Sequence, residues 1–181
     1  MSVLIFHQDP YTISFDETAN AFESFYSYHP EMLGCLNLSF FSFKDGAAWK
    51  HKSQVYCNFY GVQYAANITT VFNSNNIDKK TWISVMETGT ALWNCPVIYT
   101  QMDSYGSQRQ ESNLIDADFK VLESEYHASF LRDKNSPGGI IGGATLKGGY
   151  IVIKFEKPDA NSFVYLNSAT TKYINSPLNN R

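Results

Sequence analysis

The chain has 181 residues, which suits one domain or one domain with a small appendage. A charged fraction of 17% and a net charge of −3 exclude a broad electrostatic nucleic-acid binder, which needs a basic face, and 15% aromatic residues argue against intrinsic disorder. No apolar run approaches the ~18 residues of a membrane span, and Val3–Leu4–Ile5–Phe6 is too short for a signal-peptide core, so a soluble chain without an N-terminal signal is expected.

Along the chain the hydrophobic period is two, the spacing of half-buried strands whose side chains point alternately to the two sheet faces. Four strands are predicted within residues 1–52: Thr12–Glu17 (extending the Tyr11–Asp16 alternation), Ala21–Ser27, Cys35–Phe43 and Ala47–Lys50. They are separated by Glu17–Thr18–Ala19–Asn20, the longer His29–Pro30–Glu31 connection and Lys44–Asp45–Gly46. Four strands in about 45 residues is the size of one propeller blade, which cannot bury both its faces alone and must lean on something. Phe40–Phe41 breaks the alternation, so one ring faces away from the main core unless a bulge intervenes.

Residues 53–181 hold eight or so predicted strands, enough for a two-sheet sandwich. Tyr64, Ala66, Ile68, Thr70 and Phe72 share one face. The turn Asn73–Ser74–Asn75–Asn76 follows, then Gly89 and Tyr105–Gly106–Ser107. Ile115, Ala117, Phe119 and Val121 oppose Asp116, Asp118 and Lys120; Ile151, Ile153 and Phe155 oppose Tyr150, Lys154 and Glu156. Pro158–Asp159–Ala160–Asn161 is a further turn. Six of the 11 glycines fall between Asn135 and Gly149, which reads as an exposed mobile loop. No window of ten residues has helical period. The expected fold is all-β: an antiparallel, jelly-roll-like β-sandwich over 53–181, preceded by a four-strand blade-like unit over 1–52 that packs on it, with one compact domain as the alternative.

Cys35, Cys57 and Cys95 form no CxxC pair and read as reduced, largely buried thiols. Asn37–Leu38–Ser39 and Asn67–Ile68–Thr69 match the glycosylation sequon, which carries little weight without a signal peptide. Gly142–Gly143–Ala144–Thr145–Leu146–Lys147–Gly148 lacks Walker order, because Lys147 precedes the last glycine. His7, His29, His51 and His127 show no metal spacing; His127 alternates with Ser129 near Glu123 and Glu125, but a catalytic serine belongs on a strained turn. Asp116/Asp118 and Glu123/Glu125, read as i, i+2 pairs on strands, suit a solvated face better than a glycosidase pair; a calcium site at Asp116–Asp118 is the weaker alternative. Trp49, Trp82 and Trp93 could form a sugar-stacking platform. The expectation is no enzyme: no catalytic, cofactor-binding or metal residue is assigned, and no cofactor.

A series of segments resembles a known family. Phe15–Asp16–Glu17, Phe22–Glu23–Ser24–Phe25–Tyr26–Ser27–Tyr28 and Pro30–Glu31–Met32 are similar to phage virion proteins. So are Phe40–Phe41–Ser42–Phe43–Lys44–Asp45–Gly46, Trp49–Lys50–His51 and Asn58–Phe59–Tyr60–Gly61. Leu122–Glu123–Ser124–Glu125, Tyr126–His127–Ala128–Ser129–Phe130–Leu131–Arg132–Asp133 and Leu146–Lys147–Gly148–Gly149–Tyr150 continue the series over most of the chain. It resembles the C-terminal region of the tail stabilisation, nozzle or muzzle proteins of short-tailed, crAss-like bacteriophages of Bacteroidales. The resemblance implies a non-enzymatic virion component, made in the bacterial host cytoplasm. It implies a homo-oligomeric ring below the portal that closes the DNA exit channel and joins other tail, hub or fibre proteins. Members of that family are usually much longer, so the chain corresponds to a C-terminal part or to a separate small gene product. The alternative expectation is a carbohydrate-binding β-sandwich for host-surface attachment.

Overall fold

A computed structural model describes residues 12–26, 28–52, 54–75, 77–102, 109–159 and 162–176. Val3–Phe6, His7, Tyr11, Ser27, Asn76, the Tyr105–Gly106–Ser107 turn and Ala160–Asn161 lie outside them. The fold is nearly all β, in several antiparallel sheets, and the described residues hold one four-residue α-helix and one 3-10 turn. The chain divides into two compact units, Met1–Tyr64 and Ala65–Arg181. The expected boundary at 52/53 therefore shifts by one hairpin, because Asn58–Gln63 belongs with the first unit.

The described residues of the first unit form seven short strands: β1 (Thr12–Asp16), β2 (Ala21–Tyr26), β3 (Met32–Leu36), β4 (Ser39–Lys44), β5 (Ala47–Lys50), β6 (Asn58–Phe59) and β7 (Val62–Gln63). The single four-strand blade expected here is instead three separate sheets, β1-β2, β3-β4-β5 and β6-β7. The strand predicted over Cys35–Phe43 breaks into two. Asn37 and Leu38 both take positive φ (47° and 60°), which makes the two-residue turn whose twist matches a hairpin. Asp45–Gly46 and Tyr60–Gly61 turn β4 into β5 and β6 into β7 in the same way. The fold of this unit rests on rings more than on aliphatic packing. Tyr28 is buried and stacks on Phe59 at 4.3 Å, with Tyr60, His51 and Tyr26 around it.

The second unit is a two-sheet sandwich. Its strands are β8 (Ala66–Phe72), β9 (Lys80–Gly89), β10 (Asn94–Met102), β11 (Arg109–Leu114), β12 (Lys120–Leu122), β13 (Glu125–Ser129), β14 (Lys147–Gly148), β15 (Ile151–Lys157) and β16 (Leu166–Asn175). One sheet runs β11-β10-β15-β8. The other is built on β9: β16 pairs along all of one side, while β13 and β14 share the other. Between them lies the core, with Trp82 and Val85 from β9, Ile98 from β10, Leu114 from β11, and Ile151, Ile153 and Phe155 from β15. These β-branched and aromatic residues fit a pleated surface, and each buried side chain contributes about 1.5–3 kcal/mol of transfer free energy.

Two expectations for this unit are corrected. Residues Ile115–Val121 do not form one alternating strand. Asp116–Asp118 is a 3-10 turn, in which the Asp118 carboxylate accepts the Ile115 N–H at 2.9 Å; a short acidic side chain satisfies backbone donors at a helix start better than it sits mid-strand. The glycine-rich stretch is exposed in part, as expected, but it is not a plain loop. Gly139–Gly142 forms the single α-helical turn, α1. The buried Asp133 accepts the N–H groups of Glu111 (3.0 Å) and Asn135 (3.1 Å), and Gln110 grips Thr145 and Lys147 on either side of the buried Leu146. Gly143 is required there, since a Cβ would collide with the Gly139 and Asp133 carbonyls and with Ser136 Oγ.

Candidate functional site

The β1-β2 hairpin is amphipathic in the unexpected sense. Its half-buried residues are Thr12, Ser14, Asp16, Ser24 and Tyr26, while Ile13, Phe15, Phe22 and Phe25 are exposed. Ile13 stands opposite Phe25, and Phe15 opposite Phe22. The register slips between Ser14 and Phe15, leaving Glu23 as the extra residue of a β-bulge. Without that bulge Phe22 and Phe25, three apart, would point to opposite faces; with it, all four apolar side chains gather on one. The Phe15 and Phe22 rings meet edge to face at 5.1 Å. Phe22 keeps 64% and Phe25 69% of its surface in solvent. No basic residue occurs between Thr12 and Tyr26, and Asp16, Glu17 and Glu23 edge the patch with negative charge.

The second feature of this unit is a cleft of about 530 Å³ along Trp49–Lys52 and Val55–Tyr60. Trp49 and Tyr60 form one wall, edge to face at 5.6 Å, and Phe59 another. Lys50 and Lys52 are exposed at its rim. His51, behind it, packs between Phe40 (4.8 Å) and Tyr28 (5.5 Å). Its Nε2 lies 2.7 Å from Ser42 Oγ, which also accepts the Tyr60 hydroxyl at 3.0 Å, so the Ser42 proton is left for His51. A Ser–His contact invites a nucleophilic reading, but Ser42 is wholly buried and no substrate atom can reach it. Burial holds the His51 ring below its ordinary pKa and pushes the Cys57 thiol up, so the cleft contains neither a cationic histidine nor a thiolate at neutral pH. Its means of binding are ring surface and two ammonium groups.

The residues singled out in the sequence are dispersed. Of the tryptophans, Trp82 and Trp93 lie in the sandwich core, and Trp49 alone is exposed, at 37%; the three-tryptophan sugar platform does not exist. His127 approaches Glu125 at 3.4 Å as a half-buried pair, with Ser129 two residues on. Glu123 and Ser124 take positive φ and form the β12-β13 turn, so Glu123/Glu125 is not a pair on one strand face. Asp116 and Asp118 sit in the 3-10 turn, where Asp118 is committed to a backbone donor. Among the described residues no three His, Cys, Asp or Glu side chains gather as a metal site requires. Of the three free cysteines Cys35 is exposed, Cys57 half-buried and Cys95 buried, so the expectation of buried thiols holds fully only for Cys95.

Two buried charges escaped the sequence reading. Lys80 is fully buried, and its ammonium donates to the carbonyls of Asn75 (2.5 Å), Asp78 (3.2 Å) and Gly149 (2.6 Å) beneath the Trp82 and Tyr173 rings. Glu87 is also fully buried; it accepts the Trp93 N–H at 3.1 Å and the Cys95 thiol at 3.5 Å. Burial pushes its carboxyl up to about 7 against the pull of those two donors. The signal present in the sequence is the spacing of Glu87 two residues after Val85, which puts both on one face of a strand.

No described helix is long and apolar enough to cross a membrane. No protein-family model and no curated protein sequence matches the chain.

Proposed function

We propose that the protein is a non-enzymatic bacteriophage virion component, a nozzle- or muzzle-type tail protein that assembles with copies of itself and with neighbouring tail or portal proteins. The observation that carries this reading is the outward apolar face of β1-β2. Four large apolar side chains on one face of a two-strand sheet remain 40–69% exposed, and a patch of that kind is characteristic of a surface that a partner covers. The ordered series of segments from Phe15 to Tyr150 that resemble phage virion proteins supports a tail as the place of that assembly. The carbohydrate-binding alternative retains only Trp49 of its three stacking residues.

Light scattering on the purified chain, alone and mixed with candidate portal and tail proteins, tests the proposal. The expected result is a mass of at least twice 20.5 kDa, or a stable mixed complex. A strict monomer that joins none of those proteins overturns it.

A further inference from the structure

The hairpin face and the cleft of the first unit are complementary. The hairpin carries exposed rings with an acidic border and no basic residue; the cleft has ring walls and a basic rim. We propose that copies of this chain associate head to tail, the Ile13–Phe15–Phe22–Phe25 face of one copy seating in the Trp49–Phe59–Tyr60 cleft of the next. The inference rests on the assembly reading and names the contact that builds it.

Three observations select a second copy as the occupant and this orientation for it. First, the cleft lies within the 300–1,000 Å³ range of sites that enclose a drug-sized group, which fits one or two phenyl rings presented by a hairpin. Edge-to-face contact with Trp49 and Tyr60 repeats the geometry that Phe15 and Phe22 already adopt with each other. Second, the charges are opposed. The bulge holds Glu23 between Phe22 and Phe25, where docking brings it to Lys50 and Lys52; a carboxylate meeting two ammonium groups adds register and speeds encounter more than it adds affinity. Third, the alternative of two hairpins meeting face to face across a two-fold axis sets Glu23 against Glu23 with no basic residue on either strand, a like-charge clash. A contact between two different surfaces is heterologous. Repeated, it gives a ring where the rotation closes and a filament where it does not.

The test uses the full chain and variants altered only at exposed positions. Phe22→Ser with Phe25→Ser removes the hairpin anchor, and Lys50→Glu with Lys52→Glu reverses the cleft rim; far-UV circular dichroism confirms that each remains folded. Sedimentation velocity over a concentration series is expected to show each double variant dissociating at concentrations at least about tenfold above wild type, the loss typical of removing a central aromatic anchor or reversing a charge pair. An equimolar mixture of the two variants brings the intact hairpin of the Lys50→Glu/Lys52→Glu chain to the intact cleft of the Phe22→Ser/Phe25→Ser chain, and is expected to give a one-to-one dimer that grows no further, because the dimer's remaining hairpin lacks rings and its remaining cleft is reversed. Adding Glu23→Lys to the Lys50→Glu/Lys52→Glu chain restores opposite charge and is expected to recover assembly. A wild-type assembly that neither double variant weakens, or recovery that fails in the charge-swapped chain, overturns the head-to-tail contact and leaves the assembly reading standing. A wild-type chain that is monomeric alone but joins a neighbouring virion protein also overturns the second copy as occupant. A monomer that joins nothing overturns both.

Discussion

Glu87 makes the stability of the sandwich depend on pH in a direction that can be worked out. Its carboxyl titrates near 7 in the folded chain and near 4.5 when free. The folded state therefore favours the protonated form. The associated stability is fully present below about pH 4.5, falls as pH rises, and is lost above about 7. At about 1.4 kcal/mol per pH unit, the whole difference is roughly 3 kcal/mol. Glu87→Gln keeps the shape and the acceptor for the Trp93 N–H but cannot ionise. The stability gap between variant and wild type should then widen in the variant's favour by roughly 3 kcal/mol from pH 4 to pH 8, a shift of roughly 1–2 M in the urea midpoint. Tryptophan fluorescence reads it, because Trp82 and Trp93 lie in this core; a Trp49→Phe background removes the signal of the first unit. A gap that is constant across pH, or that narrows toward pH 8, refutes the reasoning by showing Glu87 to be a stabilising carboxylate.

Other consequences are as direct. Thiol labelling of the native chain should modify Cys35 first and Cys57 more slowly, while Cys95 should react only on unfolding, since burial and the neighbouring Glu87 carboxylate push its thiol far up; labelling of Cys95 at the rate of Cys35 would contradict its burial. Lys80→Met, measured by urea unfolding, should destabilise the second unit by about 1–3 kcal/mol or more, because the Asn75 and Gly149 carbonyls lose their donor. Phe155→Ala should cost about 3–5 kcal/mol in the same assay, as a fully buried ring in a two-sheet core does. Glu111→Gln should change the midpoint by less than about 1 kcal/mol, because its partners Arg109 and Lys134 are solvent-exposed.

The fold class was legible because a period of two survives any error in strand ends. Ile151, Ile153 and Phe155 alternate as one face in the sequence, and all three are fully buried. Phe40–Phe41 puts aromatic rings on both faces of one strand, and β4 runs through both residues without a register slip. What failed was local. Leu38 adopts positive φ, which a branched side chain rarely does, so the Asn37–Leu38 turn gave no residue signal beyond the asparagine. Glu123–Ser124 turned where alternation appeared to continue. The glycine-rich stretch looked loose because its order comes from Asp133 and Gln110, whose hydrogen bonds link residues up to 37 positions apart. The candidate surface depended on one bulge, and no residue pattern separates a bulge at Glu23 from a plain strand.

The pairing of β16 with β9 also bears on synthesis. β9 ends at Gly89, yet its partner on one whole side is not complete until Asn175, so the central strand of this sheet leaves the ribosome some 80 residues before its neighbour. The first unit, whose strand pairs all close within 64 residues, can fold while that wait lasts. During it the open side of β9 displays unpaired backbone groups beside Trp82 and Val85, a template for pairing with another nascent copy. Slowed translation between Gly89 and Leu166 should therefore lower the yield of soluble protein more than an equal delay within the first 64 residues.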